Sequence, residues 1–290
     1  MNDLVRVGDA ADDWIKIVSH FARGAGLSVE DVRRILQALR NNDELKFIEG
    51  ALRQWLVTQA EAAGAPPPAP EPAALPQAPL EVTAQPTEEV VVAHNLFDPH
   101  SERIRALRTE LLLRRKAGEC NVFAVVSAGR GDGRSRLAAE LAVACAQLAQ
   151  PTLLIDADLR HPRQHRLFDA RGQAGLAEAL DGVAPVLQGV AGLPCLALLT
   201  AGAPSLNPLE RLSGSGFGEL VRGWSRRYQH VVINTPPVGA YTDGLAVAMH
   251  CSNVLVVSRG GHTPLRAVRE MLRRLATTQV RVLGSVVNYF

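Results

Sequence analysis

"VVSAGRGDGRSRLAAEL", residues Val125 to Leu141, decides the fold. A loop that holds phosphate needs backbone N–H groups converging on an anion and small residues that let the backbone come close. It also needs a helix start whose dipole favours negative charge. Ala128, four intervening residues, Gly133, Arg134 and Ser135 occupy the frame GxxxxGK[ST], with alanine for the first glycine and arginine for the lysine. The apolar run before the loop reads as a buried strand, and Leu137, Leu141, Cys145 and Leu148 recur along one face of the helix after it. A glycine-rich strand-to-helix turn with no ligand would satisfy the same pattern. Guanidinium is flat, permanently charged and able to fork onto two oxygens, so Arg134 is expected to bind phosphate still. It is expected to serve less well than lysine where transferring charge accumulates. Gly129, Arg130, Gly131, Asp132, Gly133, Arg134, Ser135 and Arg136 are the candidate nucleotide contacts, and Ser135 has the hydroxyl suited to Mg2+.

Outward from the loop, short apolar runs alternate with helical stretches: "NVFAVVS", "TLLID", "CLALLT", "HVVIN", "NVLVVS" and "VRVLGSVVN". Near-continuous apolar runs belong to strands buried on both faces, so an α/β domain is expected, with a mostly parallel sheet covered by helices on both faces. "LLIDADLRHP" ends one such strand with Asp156 and Asp158, two residues apart and thus on one side of the extended chain. Carboxylates at the carboxyl end of a parallel strand face the ligand crevice, where they could hold Mg2+ through water or accept a proton from an attacking hydroxyl. A surface turn capped by aspartates is the plainer alternative. "HVVINTPPV" puts Asn234 where such sites hold a magnesium-organising aspartate: the amide oxygen can still accept from a metal-bound water, but the negative charge is gone. A strand-ending proline turn would look the same. His161 and His165 have one-face helical spacing, with no further ligand cluster evident nearby.

Composition bounds the rest. A net charge of +2 over 290 residues does not argue for a nucleic-acid partner. Cys120, Cys145, Cys195 and Cys251 are widely spaced without a CxxC and read as reduced core residues in the cytosol. No signal pattern opens the chain, and no stretch approaches the roughly 18 apolar residues of a membrane span, so membrane association is expected only through a partner. Residues 64 to 86 hold eight of the eighteen prolines and read as the body of a semi-rigid Pro/Ala-rich linker, taken to span 64–95. Before it, Ser28 and Asp31 open a helix with Val32, Ile35, Leu36 and Leu39 at helical spacing, so residues 1–63 are a small helical module of unread role. After it, Asp98 caps and Pro99 starts a helix with Ile104, Leu107 and Leu111 on one face, opening a domain over 96–290.

Together "SAGRGDGRS", "LLIDADLRHP", "NPLERL", "VVINTPPV" and "VLGSVVN" resemble the bacterial tyrosine kinases that control exopolysaccharide chain length, closest to their EpsG-like branch. The resemblance spans roughly residues 96–290. It implies a P-loop NTPase fold, MgATP as phosphoryl donor, tyrosine as acceptor, and a membrane-embedded chain-length-determinant protein as activating partner at the inner face of the plasma membrane. In that frame Gly133, Arg134 and Ser135 hold nucleotide and metal, Arg134, Asp156 and Asp158 are catalytic, and Asn234 stands in for a metal-organising aspartate. Asn288 falls where related ATPases place an adenine contact. Glu102, Arg105 and Arg108 match an ExxRxxR helix through which such kinases self-associate; a solvated helix with charge pairs is the alternative. The family's tyrosine-rich tail is reduced here to Tyr289, the candidate acceptor, with Tyr228 and Tyr241 inside the domain. Arg134, Asn234 and the short tail therefore also admit a nucleotide-binding scaffold of the export complex without phosphotransfer. A partitioning or septum-positioning (MinD-type) ATPase is the third reading. Against it, Gly129 occupies the position of that group's signature lysine.

Overall fold

The computed structural model describes residues 80–114 and 120–289, so the expected helical module at 1–63 and the linker up to residue 79 lie outside the described residues. Eight strands form one sheet in the order β1-β4-β5-β3-β6-β2-β7-β8. They are β1 (Val82–Ala84), β2 (Asn121–Ser127), β3 (Thr152–Asp156), β4 (Gln188–Val190), β5 (Leu193–Leu199), β6 (His230–Asn234), β7 (Asn253–Arg259) and β8 (Arg281–Asn288). All neighbours run parallel except β4 and β5.

Of the strands read from sequence as doubly buried, β2, β3 and β6 are buried along their whole length and β5 and β7 over their inner residues, whereas β8, at the sheet margin, buries only Leu283 and alternates elsewhere, so that expectation fails there. Along β2, Val122, Ala124 and Val126 join one apolar cluster while Phe123 and Val125 join the other. One face is covered by α1 (Val91–His94), α2 (Pro99–Leu113), α3 (Arg134–Ala146) and α4 (Gln164–Leu167). The other carries α5 (Leu176–Leu180), α6 (Pro208–Ser213), α7 (Ser215–Ser225), α8 (Asp243–Met249) and α9 (Leu265–Ala276). This is the expected P-loop architecture, a mostly parallel sheet between two helical layers.

Two local expectations need correction. Residues 80–95 are not linker, and the domain begins before residue 96. β1 pairs with β4, Gln85 and Thr87 donate backbone N–H groups to the carbonyls of Phe168 and Leu167 at 2.7 and 2.9 Å, and Val90 and Val92 are fully buried. Pro86 follows β1 rather than interrupting it, and an edge strand tolerates missing donors. Second, α3 does not bury one stripe: every residue from Leu137 to Ala146 is buried, and Leu148, placed on that stripe, lies past the helix end and is 39% exposed. The helix is enclosed because α1 and α2 pack over its outer side, leaving no face for water. Asp98 does cap α2, accepting from the His100 N–H at 2.7 Å with Pro99 in the first turn.

Candidate nucleotide site

The register of the central strands sets the site. Asn234 at the end of β6 lies level with Val125 of β2 on one side and Asp156 of β3 on the other. The chain leaves β2 toward β3 and leaves β6 toward β7, on opposite sides, so a crevice opens at the carboxyl ends of these strands. The loop after β2 turns through Gly131 and Gly133 at φ 79° and 90°, a left-handed conformation that favours glycine, and Gly133 caps α3. An aspartate in an anion-binding loop would repel its ligand, but Asp132 is 1% exposed and turned inward. Its carboxylate accepts from the Gly129 N–H at 2.9 Å and the Thr263 hydroxyl at 2.6 Å. The Asn288 amide donates to the Asp132 carbonyl at 2.8 Å, so this residue anchors the loop from the end of β8. Above the loop is a cavity of about 440 Å3, walled by loop residues from Arg130 to Arg136 together with Asp158, His161, Arg163 and Arg259.

Arg134 does not reach into that cavity as a free cation. It is 7% exposed, donating to the Ser127 hydroxyl at 2.5 Å and pairing with Asp158 at 3.3 Å. Burial lowers its pKa from the ordinary arginine value, with Asp158 and then Asp156 opposing the shift. Asp158 also accepts from the His161 N–H at 3.0 Å. Asp156 sits behind, fully buried and surrounded by donors. One oxygen accepts from the Asn234 amide at 2.8 Å and the Asp158 N–H at 3.2 Å, the other from the Arg163 and Gln164 N–H groups at 2.9 Å each. Burial pushes its pKa up to about 6, against the pull of those hydrogen bonds. The Asn234 Oδ1 atom is buried without a hydrogen-bond partner among the described residues.

The two acids therefore separate. Asp158 and Ser135 line the cavity; Asp156 and Asn234 form a layer beneath it that holds the acidic loop in shape. His161 faces the cavity while His165 sits in α4, its pKa lowered by burial and by neighbouring Arg166, and among the described residues no group of three metal-ligating side chains forms. The candidate self-association residues are partly committed within the chain. Arg105 pairs with Glu102 at 2.7 Å, and Arg108 donates to the Ala144 carbonyl at 2.8 Å, fastening α2 to the end of α3. Tyr289 is 82% exposed, whereas Tyr228 is buried at 4%. The sequence reading missed Thr263 and Gln164, whose amide donates to the Ser135 carbonyl at 2.9 Å. Neither carries a local motif. It also missed Arg163, although the basic run "RHPRQH" beside the acidic motif was a usable signal.

No family model matches the chain. Tyrosine-protein kinase ptk of Acinetobacter johnsonii is 30% identical over 201 residues, covering 69% of this chain and 27% of that protein. Two solved structures, the kinase domains of the Escherichia coli tyrosine kinase ETK and of VpsO, superpose with TM-scores of 0.65 and 0.60 at 28% and 31% identity. They are matched over 72% and 70% of this chain and over 89% and 96% of their own. The chain spans about a quarter of the length of the first curated relatives, 27% and 28%. Among the described residues no helix is long and apolar enough to cross a membrane. The phosphate-type loop, the paired acids after β3 and these likenesses agree: the chain belongs to the bacterial tyrosine kinase family.

Proposed function

We propose that this chain binds ATP with Mg2+ in the cavity above Gly133 and transfers the γ-phosphoryl group to tyrosine, in machinery that sets exopolysaccharide chain length or export. One observation carries the reading: a glycine loop with left-handed turns at Gly131 and Gly133 opens α3 directly beneath a cavity that also holds Ser135 and Asp158. Amides at a helix start favour phosphate, and the cavity is the size of a small-ligand site. Ser135 and Asp158 fit a magnesium ion as oxygen donors, and the orphaned Asn234 Oδ1 fits as acceptor of an ordered water behind them. Such an ion, when bound, supplies positive charge against the β- and γ-phosphates. Asp156 does not fit as a ligand, because its lone pairs are already met by four donors.

Phosphate arriving at the loop competes with Asp158 for the Arg134 guanidinium; once exchanged, Asp158 is free as ligand or base. The scaffold reading is favoured by the same contact, since the Arg134–Asp158 pair at 3.3 Å closes the acid off. A membrane-embedded chain-length-determinant partner, a homo-oligomer built through α2 and an inner-membrane-face location complete the proposal on family likeness. Calorimetry of the full chain with MgADP and MgATP, followed by transfer of labelled phosphate to a tyrosine peptide, tests it. Heat with transfer supports the kinase, heat without transfer supports the scaffold, and no heat at millimolar nucleotide removes both.

A further inference from the structure

The Tyr241 phenol lies against Arg130 and His161, two residues that wall the cavity. After β6 and Pro236–Pro237 the chain turns through Val238–Ala240, and the Tyr241 N–H donates to the Pro237 carbonyl at 3.0 Å, fixing the residue at the entrance to α8. The Arg130 guanidinium donates to its hydroxyl, and His161 Nε2 stands 3.4 Å from the same oxygen. Arg160 lies over the ring at 4.5 Å from its centroid and Arg130 at 5.5 Å. Arg160 is held there by the buried carboxylate of Asp243, with contacts of 3.1 and 3.2 Å to its Nε. The Arg130 guanidinium, which also bonds His161 Nε2 at 2.6 Å, and the Arg160 guanidinium, paired with Asp243 at 3.0 Å, have only a neutral phenol between them. A phosphate dianion on that oxygen would give them charge-assisted hydrogen bonds and would reverse the local excess of positive charge. Two of the partners, Arg130 and His161, also wall the nucleotide cavity, so acceptor and donor share side chains.

We propose that Tyr241 is a phosphorylation site of this chain, modified from nucleotide bound in the adjoining cavity, with Arg130, Arg160 and His161 as the cradle of the phosphotyrosine. The proposal rests on the kinase reading and names its acceptor. In the step, the phenolic oxygen forms a bond to the γ-phosphorus and the bond from that phosphorus to the β-bridging oxygen breaks. The electron pair leaves on ADP, and the phenolic proton passes to His161 Nε2 and then to water.

The test incubates the full chain with labelled MgATP beside a separate tyrosine-containing copolymer, maps self-incorporated phosphate by mass spectrometry, and repeats this with Tyr241→Phe and Tyr289→Phe. Expected is phosphate on Tyr241, a rate per chain that does not change with protein concentration, and at least a tenfold loss of self-incorporation in Tyr241→Phe. Copolymer labelling in that variant should stay within twofold, since phenylalanine keeps the ring under Arg160. Copolymer labelling with phosphate on Tyr289 alone, or self-incorporation unchanged in Tyr241→Phe, overturns this proposal and leaves the kinase reading standing. A rate per chain that rises with concentration overturns transfer within one chain. Label on neither substrate overturns the kinase reading and this proposal together.

Discussion

Replacing Asn234 with aspartate would set a second carboxylate where an amide now donates to Asp156 across 2.8 Å, with both side chains at 0% exposure. Unit charges 4 Å apart at an effective dielectric of 20 repel by about 4 kcal/mol, and this pair would be closer. Burial already raises Asp156 from 3.8 to about 6, and a like charge beside it raises it further. A carboxylate whose folded pKa is raised adds stability below its unfolded value and loses it as pH rises through the folded value. Asn234→Asp should therefore cost about 4 kcal/mol at pH 8, where both groups are driven to ionise. At pH 5 the pair keeps a proton and the cost should fall to less than half. With a urea slope of roughly 2–3 kcal/mol/M, the unfolding midpoint of the full chain should drop by about 1.5 M at pH 8. Equal midpoints for parent and variant at both pH values would refute the idea that a neutral donor is required beside the buried acid.

Three further outcomes follow from the site. Gly133→Ala forces a side chain into φ 90° at a cost of roughly 1–2 kcal/mol and crowds the anion cradle, so calorimetry should show nucleotide affinity at least tenfold weaker; unchanged affinity would discard the loop as the phosphate cradle. Arg134→Ala leaves the Asp158 carboxylate buried without its cation and should cost about 3–5 kcal/mol, and adding Asp158→Asn should restore more than half of it; strictly additive losses in a double-mutant cycle would contradict the pairing. Arg108→Ala strips the Ala144 carbonyl of its donor and should lower stability by about 1–3 kcal/mol, whereas Arg105→Ala, whose partner Glu102 is 73% exposed, should cost below about 1 kcal/mol; reversed magnitudes in thermal unfolding would show α2 held some other way.

The central strands were legible because burial on both faces writes itself as continuous β-branched runs, and the start of α3 because Gly131 and Gly133 have few substitutes at left-handed turns. β1 and β4 were not. Each has three residues, and β4 "QGV" has no periodicity of its own; its pairing comes from β5 and β1 on either side. In the site, loop and acids could be found from spacing, but not their division of labour. Which of Asp156 and Asp158 faces the cavity depends on β3 and β6 registering Asp156 against Asn234, a contact across 78 positions of sequence. Arg134 was read as reaching for phosphate because its position says so; its partner Asp158 is set by how the two loops fold over one another. Arg108 shows the same limit, since a charge in an i,i+3 pattern looks solvated until the neighbouring helix brings an open carbonyl to it.

The short strand at the sheet margin places the chain's entry and the acidic loop mechanically in series. From β1 the backbone passes within three residues to Gln85 and Thr87, which grip the end of α4, and the first amide of α4 is one of those that hold the Asp156 carboxylate. A pull transmitted from upstream would load the three-residue strand first, then that helix. Displacing the helix would withdraw a donor from the acid beneath the cavity, so traction on the leading segment reaches the floor of the pocket by a path of three hydrogen-bonded links.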